Sequence, residues 1–294
     1  MAPARASTSW PAACSPLLER EVAGEPRRAR VLAAFPTALY LHLGRHDLVL
    51  PVLTGDALLL PTGLRLALAS AEVEWGVQAG HDVLVGDGRV RLPGRDVVSV
   101  RPWRPARVTR ASSAPFASIA GAAHILGQAD SSAVLRELAA DLTAAGLDGR
   151  QVGRRVGALV GAGAGLTPSG DDALCGVLLA LRAVGGRVPS GDDAAGAVAA
   201  SVRRASAATT SLSASLLSAA SEGYAVPEVV RLVDEVARGD TSAVTEALAP
   251  VLGIGHSSGA DLVAGLVGAL EALIPVLAQD AGPHHTEPEG ARRA

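Results

Sequence analysis

The chain has 294 residues, a formal net charge of −3 and an aromatic content of 2%, and all 26 of its positive side chains are arginines. This length allows a substantial core and is compatible with two domains. With so few aromatic rings, Ala, Leu and Val must fill the core, which favours closely packed helices. The scattered arginines form no basic stripe, so we expect no nucleic-acid partner, and a site that needs lysine is excluded.

Neither cysteine lies in a pattern typical of a disulfide or a metal site, because Cys14 is in a Pro/Ala/Ser/Arg-rich segment and Cys175 is inside a helical stripe. The first 22 residues contain no uninterrupted apolar core of signal-peptide length. The longest apolar segment, 262–278, contains Glu271 and Pro275 and falls short of a clean membrane span. We therefore expect a cytoplasmic protein without membrane association, metal or cofactor.

The N-terminal half has strand character. A disordered leader, residues 1–25, is expected to precede a small β-rich domain at 26–108. Gly86-Asp87-Gly88 is typical of a hairpin turn. Short apolar or alternating runs between turn residues predict strands at 38–43, 48–53, 83–85, 89–92 and 97–100. Pro102 and Pro105 then mark a connector.

The C-terminal half has helical periodicity, which predicts an α-helical domain at 109–282 and a disordered tail at 283–294. The first predicted helix, 132–145, has a serine cap and a glycine stop. Further helices are predicted at 150–160, 171–184, 192–208, 211–222, 227–237, 242–252 and 261–277. The expected fold class is α+β, with a small β-rich domain followed by helices in two related loop-helix halves.

The two halves share the pattern Ser-Gly-x-Asp-x-x-x-Gly, which occurs at 169–176 and again 89 residues later at 258–265. Each copy follows a glycine-rich segment and leads into an apolar helix. A helix N-terminus offers unpaired N–H groups and the positive end of the helix dipole, which together bind phosphate or carboxylate. Two such copies predict one shared anion pocket.

Better-known glycine motifs do not fit the first copy. A phosphate-binding P-loop needs a lysine, which this chain lacks. A dinucleotide fingerprint needs a strand in front of it, but a helix is predicted there. The segment around Ser169 also lacks the Gly-x-Ser-x-Gly pattern of a nucleophile elbow.

Every part of the repeated motif also has an ordinary structural interpretation. The glycines suit a helix C-cap with a tight turn. Asp171 and Asp172 suit the positive end of a helix dipole, and Ser169 and Ser258 suit helix N-caps. The functional interpretation depends on their combination, because capping alone does not require a matched pair.

The candidate site residues come from the first loop, from the hydroxyl cluster at 209–211 and from the second loop, which contains His256. His256 would donate a hydrogen bond to an anion or oxyanion from a helix start, although a single histidine is also a common structural residue. The hydroxyl cluster at 209–211 would close the pocket or merely cap a helix. The candidate substrate-binding residues are Gly163, Gly165, Thr167, Ser169, Gly170, Asp171, Thr209, Thr210, Ser211, Ser257, Ser258 and Gly259.

Segments 165–172, 209–213 and 255–261, in this order, resemble the AllH-like family, a subunit of oxamate carbamoyltransferase. The resemblance runs from residue 31 to residue 277. It implies a component of a multi-subunit enzyme of purine and allantoin catabolism, which converts oxalurate and phosphate to oxamate and carbamoyl phosphate. The implied partners are AllF-like and AllG-like subunits.

The resemblance also implies roles for the catalytic candidates. Asp172 and Asp261 would accept hydrogen bonds from the carbamoyl NH2 group, and His256 would stabilise the oxyanion or protonate the departing phosphate. Backbone N–H groups at 165–170 and 257–259 would hold the phosphate or a substrate carboxylate.

A carboxylate beside a phosphate requires compensating positive charge. Arg154, Arg155, Arg204 or a partner chain would supply it. The lack of lysine and of a clear nucleophile favours an alternative, a non-catalytic subunit that binds a small anion or acts as a scaffold. Carbamoyl transfer to another small amide or amine is a further alternative. An unrelated phosphate-ester enzyme is disfavoured, because clusters of metal ligands are missing.

Overall fold

The computed structural model describes residues 8–110 and 114–280, which form a β-barrel followed by a helical domain. The predicted tail at 283–294 and the first seven residues of the predicted leader lie outside the described residues. The order of strands and then helices agrees with an α+β chain.

Eight strands close the barrel, in the order β1-β5-β4-β3-β2-β6-β7-β8. Their bounds are β1 (Thr8–Cys14), β2 (Arg27–Ala34), β3 (Ala38–His42), β4 (Val49–Leu53), β5 (Leu64–Leu66), β6 (Asp82–Gly86), β7 (Arg89–Leu92) and β8 (Arg95–Pro102). The pairs β1–β8 and β4–β5 are parallel, and the other neighbours are antiparallel. A short helix, α1 (Glu19–Ala23), follows β1.

The fold-class prediction of a small β-rich domain is wrong, because the β half is a closed barrel of eight strands, which includes β1. Strand β1 lies inside the predicted leader and pairs with β8 from Thr8 to Cys14 and with β5. Its Pro- and Ala-containing sequence has little strand propensity. Pairing on both sides compensates for that, since β5 and β8 would otherwise be open edges.

Buried leucine and valine side chains fill the barrel, including Leu39, Leu41, Leu50, Val85 and Val97. These residues alternate with outward-facing ones along the strands, as expected for a barrel wall. Two of the chain's three tryptophans, Trp10 and Trp75, also belong to this core and meet edge to face with ring centroids 6.0 Å apart.

The helical domain contains α2 (Phe116–Gly127), α3 (Ala133–Leu147), α4 (Gly153–Leu159), α5 (Ser169–Val184), α6 (Gly191–Ala205), α7 (Ser211–Ser221), α8 (Pro227–Arg238), α9 (Thr241–Leu252) and α10 (Ser258–Asp280). The eight predicted helices correspond to α3 to α10, with ends displaced by a few residues. Helix α2 was not predicted.

Helices α5 and α10 cross at glycines that the repeat places at equivalent positions. A methyl group on Gly176 would overlap the carbonyl oxygen of Leu262, and one on Gly265 would overlap that of Ala173. Gly176 corresponds to Gly265 and Ala173 to Leu262 in the two copies, so the contact is reciprocal. The two helices are therefore related by a local pseudo-two-fold axis.

The same equivalence holds where the two helices begin. A methyl group on Gly170 would overlap the carbonyl oxygen of Leu159, and one on Gly259 would overlap that of Val251. Leu159 ends α4 and Val251 lies in the last turn of α9, so each repeated helix starts against the end of the helix before it. Both glycines of the repeated motif are required by packing.

Helix α10 is long and apolar enough to cross a membrane by length and composition, but most of that segment is buried inside the protein. It packs mainly against α3 and α5. Gly268 lets it approach the backbone of α3 at Arg136, whose guanidinium pairs with Glu271. Burial among helices accounts for its hydropathy.

The glycine crossing predicts unequal effects of the same substitution. Gly176→Ala and Gly265→Ala should each lower the free energy of unfolding by about 1–3 kcal/mol or more, because the added methyl group forces the helices apart. Gly196→Ala is the matched control, since Gly196 is an exposed glycine inside α6 with open space around it. It should gain up to about 1 kcal/mol from helix propensity. Urea unfolding measures all three, and equal stabilities would refute the crossing.

Candidate functional site

The two repeated loops meet in the structure. The hydroxyl oxygens of Thr167, before α5, and Ser258, at the start of α10, are 3.0 Å apart. Ser169 is the first residue of α5 and the preceding Pro168 makes no capping side-chain bond, so Ser169 is not an N-cap. The predicted convergence of the two copies is therefore present.

The first loop exposes backbone N–H groups. Gly161, Gly163 and Gly165 all have positive φ angles, of 72°, 119° and 94°. Within the described residues, the amides of 163–167 donate no hydrogen bond to the protein. The sign of φ therefore alternates along 161–165. Ahead of a helix N-terminus, such a segment turns its N–H groups toward one side and forms a concave set of donors suited to an anion.

Asp171 holds this loop in place. It is buried, and its Oδ1 accepts a hydrogen bond from the backbone N–H of Gly161 at 2.9 Å. Its Oδ2 accepts one from the hydroxyl of Thr209. Because both oxygens are engaged, Asp171 supports the loop and does not face the open space beside it.

The hydroxyl cluster joins the first loop to α7 and to the barrel. Thr210 accepts a hydrogen bond from the backbone N–H of Ser213 at 3.1 Å, which caps α7, and donates one to the carbonyl of Leu166. His46, from the turn after β3, lies 2.9 Å from the carbonyl oxygen of Thr209 and 3.3 Å from the hydroxyl of Ser211. These contacts position the loop between the two domains.

A cavity of about 270 Å³ lies beside the paired loops, between the barrel and the helices. Thr167, Asp172 and Ser258 contribute polar groups to it. Most of its wall is apolar, with contributions from the barrel half and from α5 and α7, among them Phe35, Tyr40, Leu60, Leu179, Leu212 and Leu216.

Asp172 is the buried carboxyl group of this cavity. Its side chain is 9% exposed, and its Oδ2 has no hydrogen-bond partner among the described residues. Burial raises the pKa of Asp172 to about 7, the hydroxyls of Ser258 and Thr167 act against this, and the charges of Asp261 and Asp171 add to it. Asp172 therefore exchanges its proton near neutral pH.

The other two catalytic candidates occupy different environments. Asp261, the equivalent of Asp172 in the second copy, is 7% exposed, and its Oδ2 also lacks a partner among the described residues. Asp261 is not part of the cavity wall. His256 and Ser257 are exposed on the second loop, outside the cavity. Only Asp172 is both buried and directed at the open space.

No arginine lines the cavity within the parts of the chain that the structure describes. Arg155 pairs with Asp141 at 2.7 Å, and Arg204 donates to the hydroxyl of Ser201. Over the same residues, no group of three His, Cys, Asp or Glu side chains could hold a metal ion. Among the described residues, the cavity that Asp172 and the two loops share therefore has no arginine in its wall.

Sequence reasoning missed the apolar wall and Cys175. In the sequence, Tyr40 and Leu60 look like ordinary core residues of the β half, and no local signal distinguishes them. Burial raises the pKa of the Cys175 thiol well above its usual value, with added repulsion from Asp172 and Asp171. Cys175 is consequently a neutral wall residue and a poor nucleophile.

Replacing Asp172 with asparagine tests its burial. Because the native pKa is raised from 3.8 to about 7, the native state keeps a proton that the unfolded chain releases near pH 4. Between those values the wild type loses stability as the pH rises, by roughly 4 kcal/mol at most at 1.36 kcal/mol per pKa unit. The unfolding free energy of Asp172→Asn, measured in urea, should increasingly exceed that of the wild type from pH 5 to pH 8.

The neighbouring carboxylate is the control for this experiment. Asp171→Asn should be less stable than the wild type across the same pH range, because it weakens the acceptor of two partly buried hydrogen bonds. Parallel pH profiles for the wild type and Asp172→Asn would contradict the burial of an unpaired Asp172.

Residues 159–270 match the sequence model of a family described as "Oxamate carbamoyltransferase subunit AllH". The matched segment holds both loops and the hydroxyl cluster, and it excludes the barrel. No curated protein and no solved structure matches the chain. The resemblance to the AllH family that the three motifs indicate is therefore confirmed for residues 159–270 of the helical domain.

Proposed function

We propose that this chain is a component of a cytoplasmic carbamoyltransferase and carries the site at which the small anionic substrates bind. The reaction is the exchange of oxalurate and phosphate for oxamate and carbamoyl phosphate, in purine and allantoin catabolism, together with AllF-like and AllG-like subunits. The observation that carries the proposal is the family match over 159–270, the segment in which the two repeated loops meet.

The exposed amides of the first loop are the proposed phosphate cradle. Residues 163–167 present unbonded N–H groups, and the dipoles of α5 and α10 both begin at the paired loops. Leu166 and Thr167 belong to the loop and to the cavity wall at the same time. A substrate held at the loop by its charged end would therefore reach Asp172 with its nitrogen.

Asp172 is the proposed proton carrier. As hydrogen phosphate attacks the carbamoyl carbon of oxalurate, the carbon–nitrogen bond breaks and oxamate leaves. The proton of hydrogen phosphate must then arrive on the oxamate nitrogen, which conserves both atoms and charge. A carboxyl group with a pKa of about 7 is suited to pass on that proton at neutral pH.

His256 would supply a hydrogen-bond donor for the anion, and a partner subunit would supply the positive charge that the cavity lacks. His256 is exposed next to the loop, where a docked subunit would enclose it and direct its ring at the anion. The compensating positive charge would come from that partner, since none of the described residues that line the cavity is an arginine.

A second candidate is a non-catalytic subunit that binds a small anion or acts as a scaffold. It is favoured by the absence of any arginine among the described residues that line the cavity. Such a subunit would leave the chemistry to AllF-like and AllG-like proteins.

The catalytic proposal predicts a large loss of turnover on substitution. Asp172→Asn, Asp172→Ala and His256→Ala should each reduce formation of carbamoyl phosphate from oxalurate and phosphate in the reconstituted assembly by about 100-fold or more. The matched control is Asp193→Asn, which removes an exposed carboxylate from the first turn of α6. Turnover at wild-type rates in both Asp172→Asn and His256→Ala would reject the site.

Calorimetry separates the two candidates. We expect the full chain to bind carbamoyl phosphate and phosphate through the loop amides, and binding should weaken in Gly163→Ala and Gly165→Ala, because both positions need a positive φ. The control is Gly153→Ala, at the start of α4 with open space around it. No binding of phosphate, carbamoyl phosphate, oxamate or oxalurate would favour the scaffold.

A further inference from the structure

The cavity next to the loops does not complement the charge of a small anion. Its wall is mostly hydrocarbon, and its ionisable carboxyl group is the buried Asp172. Oxamate and oxalurate each carry a carboxylate. Placing that charge beside Asp172, away from water and with no arginine near, would be strongly repulsive. The interior must therefore suit another part of a substrate or another substrate.

The polar atom that needs a partner is an acceptor. The Oδ2 atom of Asp172 is buried without a hydrogen bond among the described residues, which is costly until a donor reaches it. The hydroxyls of Thr167 and Ser258 are close by, but one of their two protons is used in the hydrogen bond between them, which leaves one hydroxyl proton for the two oxygens of Asp172. A ligand N–H group would satisfy this oxygen, and an ammonium group would do so with a charge-assisted bond.

The walls and the volume of the cavity determine the polarity and the size of the rest of the ligand. Leu179 and Leu212 present hydrocarbon from two helices, and Phe35 and Leu60 do so from the barrel half. The volume of about 270 Å³ lies just below the range of roughly 300–1,000 Å³ found for pockets of drug-sized ligands. A compact apolar body of a few carbon atoms fits such a space.

We propose that this cavity binds a small primary amine with an apolar body, with its ammonium group on Asp172 and its hydrocarbon part against the leucines of the wall. The inference rests on the proposed function in one respect, because the amine would be the carbamoyl acceptor. Its binding to this chain is independent of that role.

As an acceptor, the amine would react at the loop that forms part of the cavity wall. The ammonium first gives one proton to the ionised Asp172. The free nitrogen then attacks the carbamoyl carbon of carbamoyl phosphate, a nitrogen–carbon bond forms, and the bond from carbon to the phosphate oxygen breaks. The second proton from nitrogen leaves with hydrogen phosphate, and the product is a substituted urea.

Calorimetry of the full chain at pH 8 with matched probes tests the ligand class. The probes are 3-methylbutylamine, the equally shaped 3-methylbutanol and the anion 4-methylpentanoate. We expect the amine to bind more tightly than both the alcohol and the anion. Equal affinities for the amine and 4-methylpentanoate, or for the amine and the alcohol, would overturn the proposal.

Two variants locate the amine. Asp172→Asn should weaken amine binding by about 10- to 100-fold, as expected for loss of a charge-assisted hydrogen bond, and leave alcohol binding nearly unchanged. Asp193→Asn, at an exposed position of α6, should bind the amine as the wild type does. The same loss in both variants would show that the ammonium does not contact Asp172 and would overturn the proposal.

The two proposals fail separately. Amine binding without carbamoyl transfer in the reconstituted assembly would overturn the proposed function and leave the ligand class standing. Turnover of oxalurate by an assembly whose chain binds no amine would do the opposite.

Discussion

Helices α5 and α10 approach each other so closely at Gly176 and Gly265 that neither position has room for a Cβ atom. Each glycine lies seven residues after the serine of its motif, so each helix start is about 10 Å from the crossing. Because the contact is reciprocal, the two starts converge, and Thr167 and Ser258 come within hydrogen-bond distance. The shared site exists because two backbones can touch at this point.

The convergence of the two helix starts costs free energy, because it buries carboxylate oxygens that have no hydrogen-bond partner among the described residues. Asp172 and Asp261 are carried inward by the two helix starts, and each keeps a buried oxygen without a partner among the described residues. Asp171, one residue earlier, is fully paired with Gly161 and Thr209. Asp171 thus stabilises the loop, whereas burial destabilises the charged form of Asp172. Destabilised groups of this kind concentrate at functional sites.

The barrel half contributes apolar side chains to the wall of the cavity. Phe35, Tyr40 and Leu60 come from a part of the chain that the family match does not cover, yet they line the same cavity as the repeated loops. His46 adds a contact to the backbone of Thr209. Closure of the barrel by β1 holds these residues in place, so the shape of the cavity depends on both domains.

Local sequence determined the helices α3 to α10, the hairpin between β6 and β7 and the existence of the repeat, because periodicity, caps and turn residues act over a few positions. Three outcomes depended on tertiary structure. Strand β1 forms only through partners 50 or more residues away, as its own propensity is low. The different roles of Asp171 and Asp172 follow from which neighbours reach each carboxylate. The apolar wall of the cavity forms where the barrel and the helices meet. The periodicity of one segment cannot predict a surface to which two distant segments contribute.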